Sequence, residues 1–218
     1  MLKIAVASNV HFYEHTLPII IPSLIERGIE KDDIHIFVAG FDKYNYEQKD
    51  GIHFHYLNHN SYEYSPLIEI VDREIESEYW FLVHDTCKFG PNFKELLYNI
   101  PPCTVKLAMK PKPAMSMGTY RYDYLLSVKD KLMSIKNTDY SEQSMNHWKN
   151  WGVPNEDWIM WMTDPQPLIY NNEPNWSLID NENWYGTNTV RRTEYYHSLD
   201  LYKNKSNWGQ SSVLKRDI

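Results

Sequence analysis

Glycine is scarce in this chain, with eight among 218 residues, and none falls into a G-x-G-x-x-G or G-x-x-x-x-G-K-[ST] arrangement. Both motifs use glycine to bring backbone N–H groups close to phosphate, so a dinucleotide fingerprint and a P-loop are excluded. The turn after the first apolar segment also lacks a glycine-rich run, which argues against a sugar nucleotidyltransferase. Cysteine is scarcer still. Cys87 and Cys103 have no spacing that suggests a disulfide framework or a zinc site, and two free thiols in a reducing compartment is the simpler account. No stretch approaches the roughly 18 apolar residues of a membrane span. The apolar run at residues 1–8 ends too early for a signal peptide, and a cytoplasmic location is expected. Positive charge is also short: 22 Lys and Arg against 29 Asp and Glu leave a net charge of -7, so nucleic acid is not an expected partner.

Aromatic residues, by contrast, are abundant. Eight Trp and 17 Tyr suit flat, hydrogen-bonding surfaces of the kind that bind sugars and bases, and equally suit an aromatic core. The length fits one domain with a substantial core. Residues 2–7 predict a buried strand that ends at the polar turn Ser8-Asn9. Leu17, Ile20, Ile21, Leu24 and Ile25 recur at helical spacing, with Gly28 as a stop and Pro22 as a kink or a late start. Further strands are predicted at 34–39, 52–57, 79–83 and 105–109. Helices are predicted from Ser65-Pro66, with Ser65 as the cap, and from Pro91. This alternation implies an α/β fold with a mainly parallel sheet, whose ligands bind beyond the carboxyl ends of the strands. The predicted rim is therefore Ser8-Asn9, residues 40–42 and His84-Asp85. After the strand–helix alternation of residues 1–110, residues 111–218 read differently, as a half that packs beside the sheet and builds the substrate pocket. It has helices at 123–135, 141–151 and from Asn155 to about residue 162, then an Asn-, Pro- and Trp-rich stretch at 165–186.

Three stretches carry chemistry. In Tyr79-Trp80-Phe81-Leu82-Val83-His84-Asp85-Thr86 an apolar strand delivers an acid at its end, ahead of the helix opened by Gly90-Pro91. This resembles the metal-binding strand end, the DxD region, of GT-A glycosyltransferases, with Val83 in place of the first acid. The resemblance implies that Asp85 holds a divalent cation on the donor diphosphate; as a plain strand end, Asp85 would simply be solvated. Trp151-Gly152-Val153-Pro154-Asn155-Glu156-Asp157-Trp158 is similar to the family's acidic motif. That likeness makes Asp157 the general base for the acceptor hydroxyl, with Glu156 as second choice, although both acids would also stabilise a helix start. In Arg191-Arg192-Thr193-Glu194-Tyr195-Tyr196-His197 the late histidine resembles the residue that completes the metal site. An imidazole ligand favours Mn²⁺ over Mg²⁺. Lys203 or one of the arginines would then neutralise the leaving diphosphate.

The same resemblance assigns Ser8 and Asn9 to the base and ribose, and Asp42 to reading the base. Arg73 is placed within reach of the pocket, unless it pairs with Glu69 or Glu76 on its own helix. Residues 115–120 become a loop facing the sugars. Among Trp148, Trp151, Trp158 and Trp161, one or two would stack on an acceptor ring. The implied fold is GT-A, and the implied reaction is an inverting transfer from a UDP-sugar to a carbohydrate acceptor. A retaining transferase would share the donor site without needing Asp157. A non-catalytic carbohydrate-binding protein would explain the aromatics without the strand-end acid.

Overall fold

The structure is a computed structural model that describes residues 1–99, 105–106, 117–139, 176–179 and 190–206. Strands β1 (Leu2–Asn9), β2 (Ile34–Ala39), β3 (Asn45–Lys49), β4 (Ile52–Leu57) and β5 (Tyr79–His84) join β7 (Val105–Lys106) and β8 (Gly118–Arg121) in one sheet. Its order is β3-β4-β2-β1-β5-β8-β7. The central run β4-β2-β1-β5 is parallel, as the sequence predicts, while β3 and β8 are antiparallel to their neighbours. Along β1, Ile4 and Val6 enter one apolar cluster and Ala5 and Ala7 the other. Near-continuous apolar runs therefore form these strands because both faces are covered.

One face packs on α1 (Tyr13–Glu26) and α3 (Phe93–Tyr98), through Leu17, Ile20, Leu24, Phe93 and Leu97. The other packs on α2 (Ser65–Asp72), α4 (Tyr122–Ser127) and α5 (Lys129–Ser134), through Leu67, Ile68, Val71, Leu125 and Leu132. The single helix expected at 123–135 is thus two, because Val128 leaves helical geometry at φ -109° and ψ 12°. Pro22 lies inside α1, and Pro18 does too. Ser65 is not a cap. A 3-10 turn at Tyr62–Tyr64 runs straight into α2, and the Ser65 hydroxyl instead accepts the Ser61 N–H at 2.9 Å.

Strand β3 was not expected. Its five residues are all exposed and only Tyr46 among them is aromatic, so it carries no alternating pattern to read. Asp50 and Gly51, both at positive φ, make the two-residue turn into β4. An Asp-Gly pair is a strong hairpin signal, and it was the cue available. As a charged edge strand, β3 closes the sheet against further pairing.

A second, antiparallel sheet, in the order β6-β11-β10-β9, is built from β6 (Cys87–Phe89), β9 (Trp176–Ile179), β10 (Val190–Tyr196) and β11 (Leu201–Ser206). Cys87, Phe89, Tyr196 and Leu201 bury against the α1 side of the main sheet. Residues from the two predicted halves are interleaved here: β8 lies in the main sheet, and β11 pairs with β6. Residues 118–120, expected in a sugar-facing loop, are strand β8, with Tyr120 fully buried. No helix among the described residues is long and apolar enough to cross a membrane.

Candidate active site

The chain runs outward from β1 to β2 and β4, then returns to the other side of β1 as β5. Ligands of open α/β sheets bind at such a reversal, beyond the carboxyl ends of the flanking strands. Ser8 is the last residue but one of β1, and Asp85 follows β5, its N–H donating to Ala7 O at 3.0 Å. The Ser8 hydroxyl donates to Asp85 Oδ2 at 2.5 Å, and the Thr16 hydroxyl in the first turns of α1 donates to the same oxygen at 2.8 Å. One carboxylate therefore ties β1, α1 and β5 together at the reversal. Asp85 is 7% exposed. Burial pushes its carboxyl up to about 6, against the downward pull of the Ser8 and Thr16 hydroxyls and the charge of Lys203.

Lys203 reaches this cluster through the second sheet. It stands opposite Cys87 of β6, two residues beyond Asp85, and opposite Glu194 of β10. Both Lys203 and Glu194 are buried, and the Tyr196 hydroxyl donates to the Glu194 carboxylate. The Asn204 N–H donates to Thr86 O at 3.0 Å, fastening β11 to the strand-end loop. Asn9 shapes the β1–α1 turn, its Oδ1 accepting the His11 N–H at 2.9 Å. Asp42 is exposed on the loop after β2. That loop is held to the neighbouring turns by Gly40 N–H, which donates to Leu57 O and His59 O. Gly40 has φ +100°, and a Cβ there would press on Val10 at 3.0 Å, so a side chain is disfavoured twice over.

Two predicted site residues stand elsewhere. Arg73 donates to Glu69 and stacks over the Tyr44 ring, 3.2 Å from its centroid. Glu69 also bonds His59 at 3.2 Å, and it lies in α2. Arg73 thus belongs to an ion cluster on the α2 face, and its partner is the one i, i+4 geometry offers. His197 lies in the turn between β10 and β11, stacked edge-on to Tyr195. That turn is anchored at the far end of the layer. Asp200 O accepts the Gly90 N–H, and the neighbouring Phe89 O accepts Arg27 Nε, just past the end of α1. Thr16, which touches Asp85, is about 16 Å of helix away from Arg27. The structure does not bring His197 to Asp85.

The implied Mn²⁺ or Mg²⁺ site can be tested on these residues. Asp85 is nearly enclosed, one of its oxygens takes two hydroxyl donors, and Lys203 already places positive charge beside it. Among the described residues no three His, Cys, Asp or Glu side chains stand together as a metal set. They do not fit a cation held by Asp85 and His197. Asp157 and Glu156, the tryptophans at 148, 151, 158 and 161, and Cys103 lie outside the described residues; Cys87 is buried, its thiol donating to Met117 Sδ at 3.6 Å.

Thr16 and Glu194 are the members of the cluster that sequence reasoning missed. Thr16 shares a helix face with Ile20 and Leu24, at i+4 and i+8. A hydroxyl in line with two core residues was the available signal. Glu194 gave none, because only strand register sets it against Lys203. Comparison of the chain with protein-family models, curated proteins and solved structures gave no match.

Proposed function

We propose that this protein is a glycosyltransferase of the GT-A type. It moves a sugar from a nucleoside-diphosphate donor, with UDP the first choice of nucleotide, to a carbohydrate acceptor with inversion. The observation that supports this reading is the Asp85 cluster: an acid held at the reversal of an open α/β sheet by the Ser8 and Thr16 hydroxyls, with the charge of Lys203 acting on it. Asp85 acts as a positioning residue, holding the β1–α1 turn and the β5–β6 loop in one rigid arrangement. Pre-set donors and charges at such a rim stabilise the charge that develops on a leaving diphosphate. The acceptor hydroxyl must lose its proton as it attacks, and Asp157 is the base assigned to that step.

Titration calorimetry of UDP, GDP and ADP into the intact protein tests the donor site. One nucleotide should bind, and Asp85→Asn should weaken it about tenfold, as expected when charge-assisted bonds holding a binding loop are lost. Binding of free sugars with no response to any nucleotide would instead favour a carbohydrate-binding protein. Asp157→Asn should lower sugar transfer by about a hundredfold while leaving nucleotide affinity in place. Retention of most of the activity would mean that the transfer is retaining.

A further inference from the structure

The ion cluster on the α2 face does not stop at Arg73. Glu69 is fully buried and its two oxygens are shared out: Oε1 accepts from Arg73, and Oε2 accepts from His59 Nε2 at 3.2 Å. Burial pushes the Glu69 carboxyl up, but the hydrogen bonds from His59 and Arg73 outweigh it and hold the carboxyl below its usual range. An ionised carboxylate only accepts, so His59 Nε2 carries the proton that faces it. Across the ring, His59 Nδ1 lies 3.3 Å from the Ser61 hydroxyl oxygen, which accepts the Asn137 N–H at 2.8 Å. Asn60 N–H donates back to Asn137 O at 2.8 Å. His59 and Ser61 are fully buried as well. The relay therefore runs from α2, through the turn after β4, to the segment that follows α5.

That turn is one of three at the carboxyl ends of adjacent strands. His59 O accepts the Gly40 N–H at 3.1 Å, and Gly40 directly follows β2. Beside Gly40 lies Val10, which follows β1 and donates its N–H to Ala39 O at 2.8 Å. The His59 ring is thus fixed by a buried charge while its backbone fixes the rim. The same turn carries Tyr62 at φ 50°, a left-handed conformation that a bulky side chain disfavours. Asn60 Oδ1 accepts the Tyr62 N–H at 3.2 Å, and the Ser61 N–H is held by Ser65. Backbone kept in such a state by its surroundings clusters at functional sites.

Resting on the transferase reading, we propose that His59 and Glu69 are positioning residues for nucleotide binding: their buried relay sets the β4–α2 turn against Gly40 and so fixes the rim at the ends of β1, β2 and β4. In His59→Gln the longer amide keeps an N–H donor for Glu69, whereas in His59→Asn the shorter one does not reach. UDP, GDP and ADP would be titrated into the intact wild-type protein and both variants, with hydrogen exchange followed at the Gly40 amide. His59→Asn should weaken the nucleotide that wild type binds about tenfold and speed Gly40 exchange by a similar factor, while exchange along β1 and β5 stays unchanged. His59→Gln should remain within about threefold of wild type in both readouts. Wild-type affinity in His59→Asn would overturn the proposal and leave the transferase reading standing. Equal losses in the two variants, with faster exchange throughout the central strands, would overturn it as well, because the ring would then serve stability alone. If wild type binds no nucleotide, both readings fall together.

Discussion

Acidification from neutral pH to about pH 4.5 should remove about 5 kcal/mol of stability through two buried histidines. His35 of β2 and His55 of β4 lie side by side, with His35 Nδ1 and His55 Nε2 3.1 Å apart. His53 stacks on His35 at 4.2 Å between centroids, Phe37 stacks on His55 at 4.5 Å, and Trp80 meets His35 edge-on at 4.9 Å. Burial, reinforced by the charges of His53 and Lys3, lowers His35 from 6.5 to about 2. Burial and then His53 lower His55 from 6.5 to about 4. The native state holds both rings neutral, so the unfolded chain takes up protons first as the pH falls. Their contribution is complete above about pH 6.5, and it is lost as the pH drops toward 4 for His55 and 2 for His35. At 1.36 kcal/mol per unit, each ring accounts for roughly half of the loss at pH 4.5.

Such a loss is a large share of the ~5–15 kcal/mol typical of a domain. Asp85 works in the opposite sense. Its carboxyl is raised to about 6, so its ionisation weakens the fold as the pH rises through that range and part of this is recovered on acidification. The comparison that isolates the histidines is therefore wild type against His35→Phe/His55→Phe, by denaturant titration at several pH values. The variant places aromatic rings among aromatic rings, and its stability should fall far less steeply below pH 6.5. Parallel curves for the two proteins would show that the pair does not carry the acid sensitivity.

Gly90→Ala should cost about 3 kcal/mol or more, a drop of roughly 10 °C in Tm for a chain of this size. A Cβ at Gly90 would fall on the Asp200 carboxylate. That carboxylate has little room to retreat. Its Oδ2 accepts the Asn92 N–H at 2.9 Å and Asn92 Nδ2 at 3.2 Å, and its Oδ1 accepts the Tyr195 hydroxyl at 3.0 Å. Asp200 itself sits at φ 49° and is buried, so moving it disturbs the turn that leads into β11. Because β11 carries Lys203 to Asp85, the damage should extend to nucleotide affinity. Combining Gly90→Ala with Asp200→Gly removes the clash, and the pair should cost clearly less than the sum of the two single changes. A shift of under ~2 °C for Gly90→Ala alone would mean that the Asp200 turn yields freely.

Local sequence was enough for the elements whose burial is uniform. Strands β1, β2 and β5 could be read because an apolar run covered on both faces needs no knowledge of its neighbours. The position of Asp85 followed from the same logic, since the end of such a strand in an α/β sheet is a rim. Edge strand β3 escaped because its exposed side chains carry no hydrophobic period, though its Asp-Gly turn was legible. Ser65 looked like a cap because capping chemistry is local, but the preceding 3-10 turn moved the helix start.

What the sequence by itself determined, then, is an α/β chain with a parallel core, an acid at the end of its fourth apolar strand, and no glycine-based phosphate loop. Which residues meet that acid was decided only by the tertiary structure. Thr16, Lys203 and Glu194 reach the site through helix docking and strand register, which join segments separated by up to about half the chain. Order along the chain put His197 and Asp85 in one site. Strand register separates them, because successive residues in a strand advance by about 3.3 Å and alternate faces. In an antiparallel ladder, a few residues' difference in position therefore decides whether a side chain stands at the rim or at the opposite end of the layer.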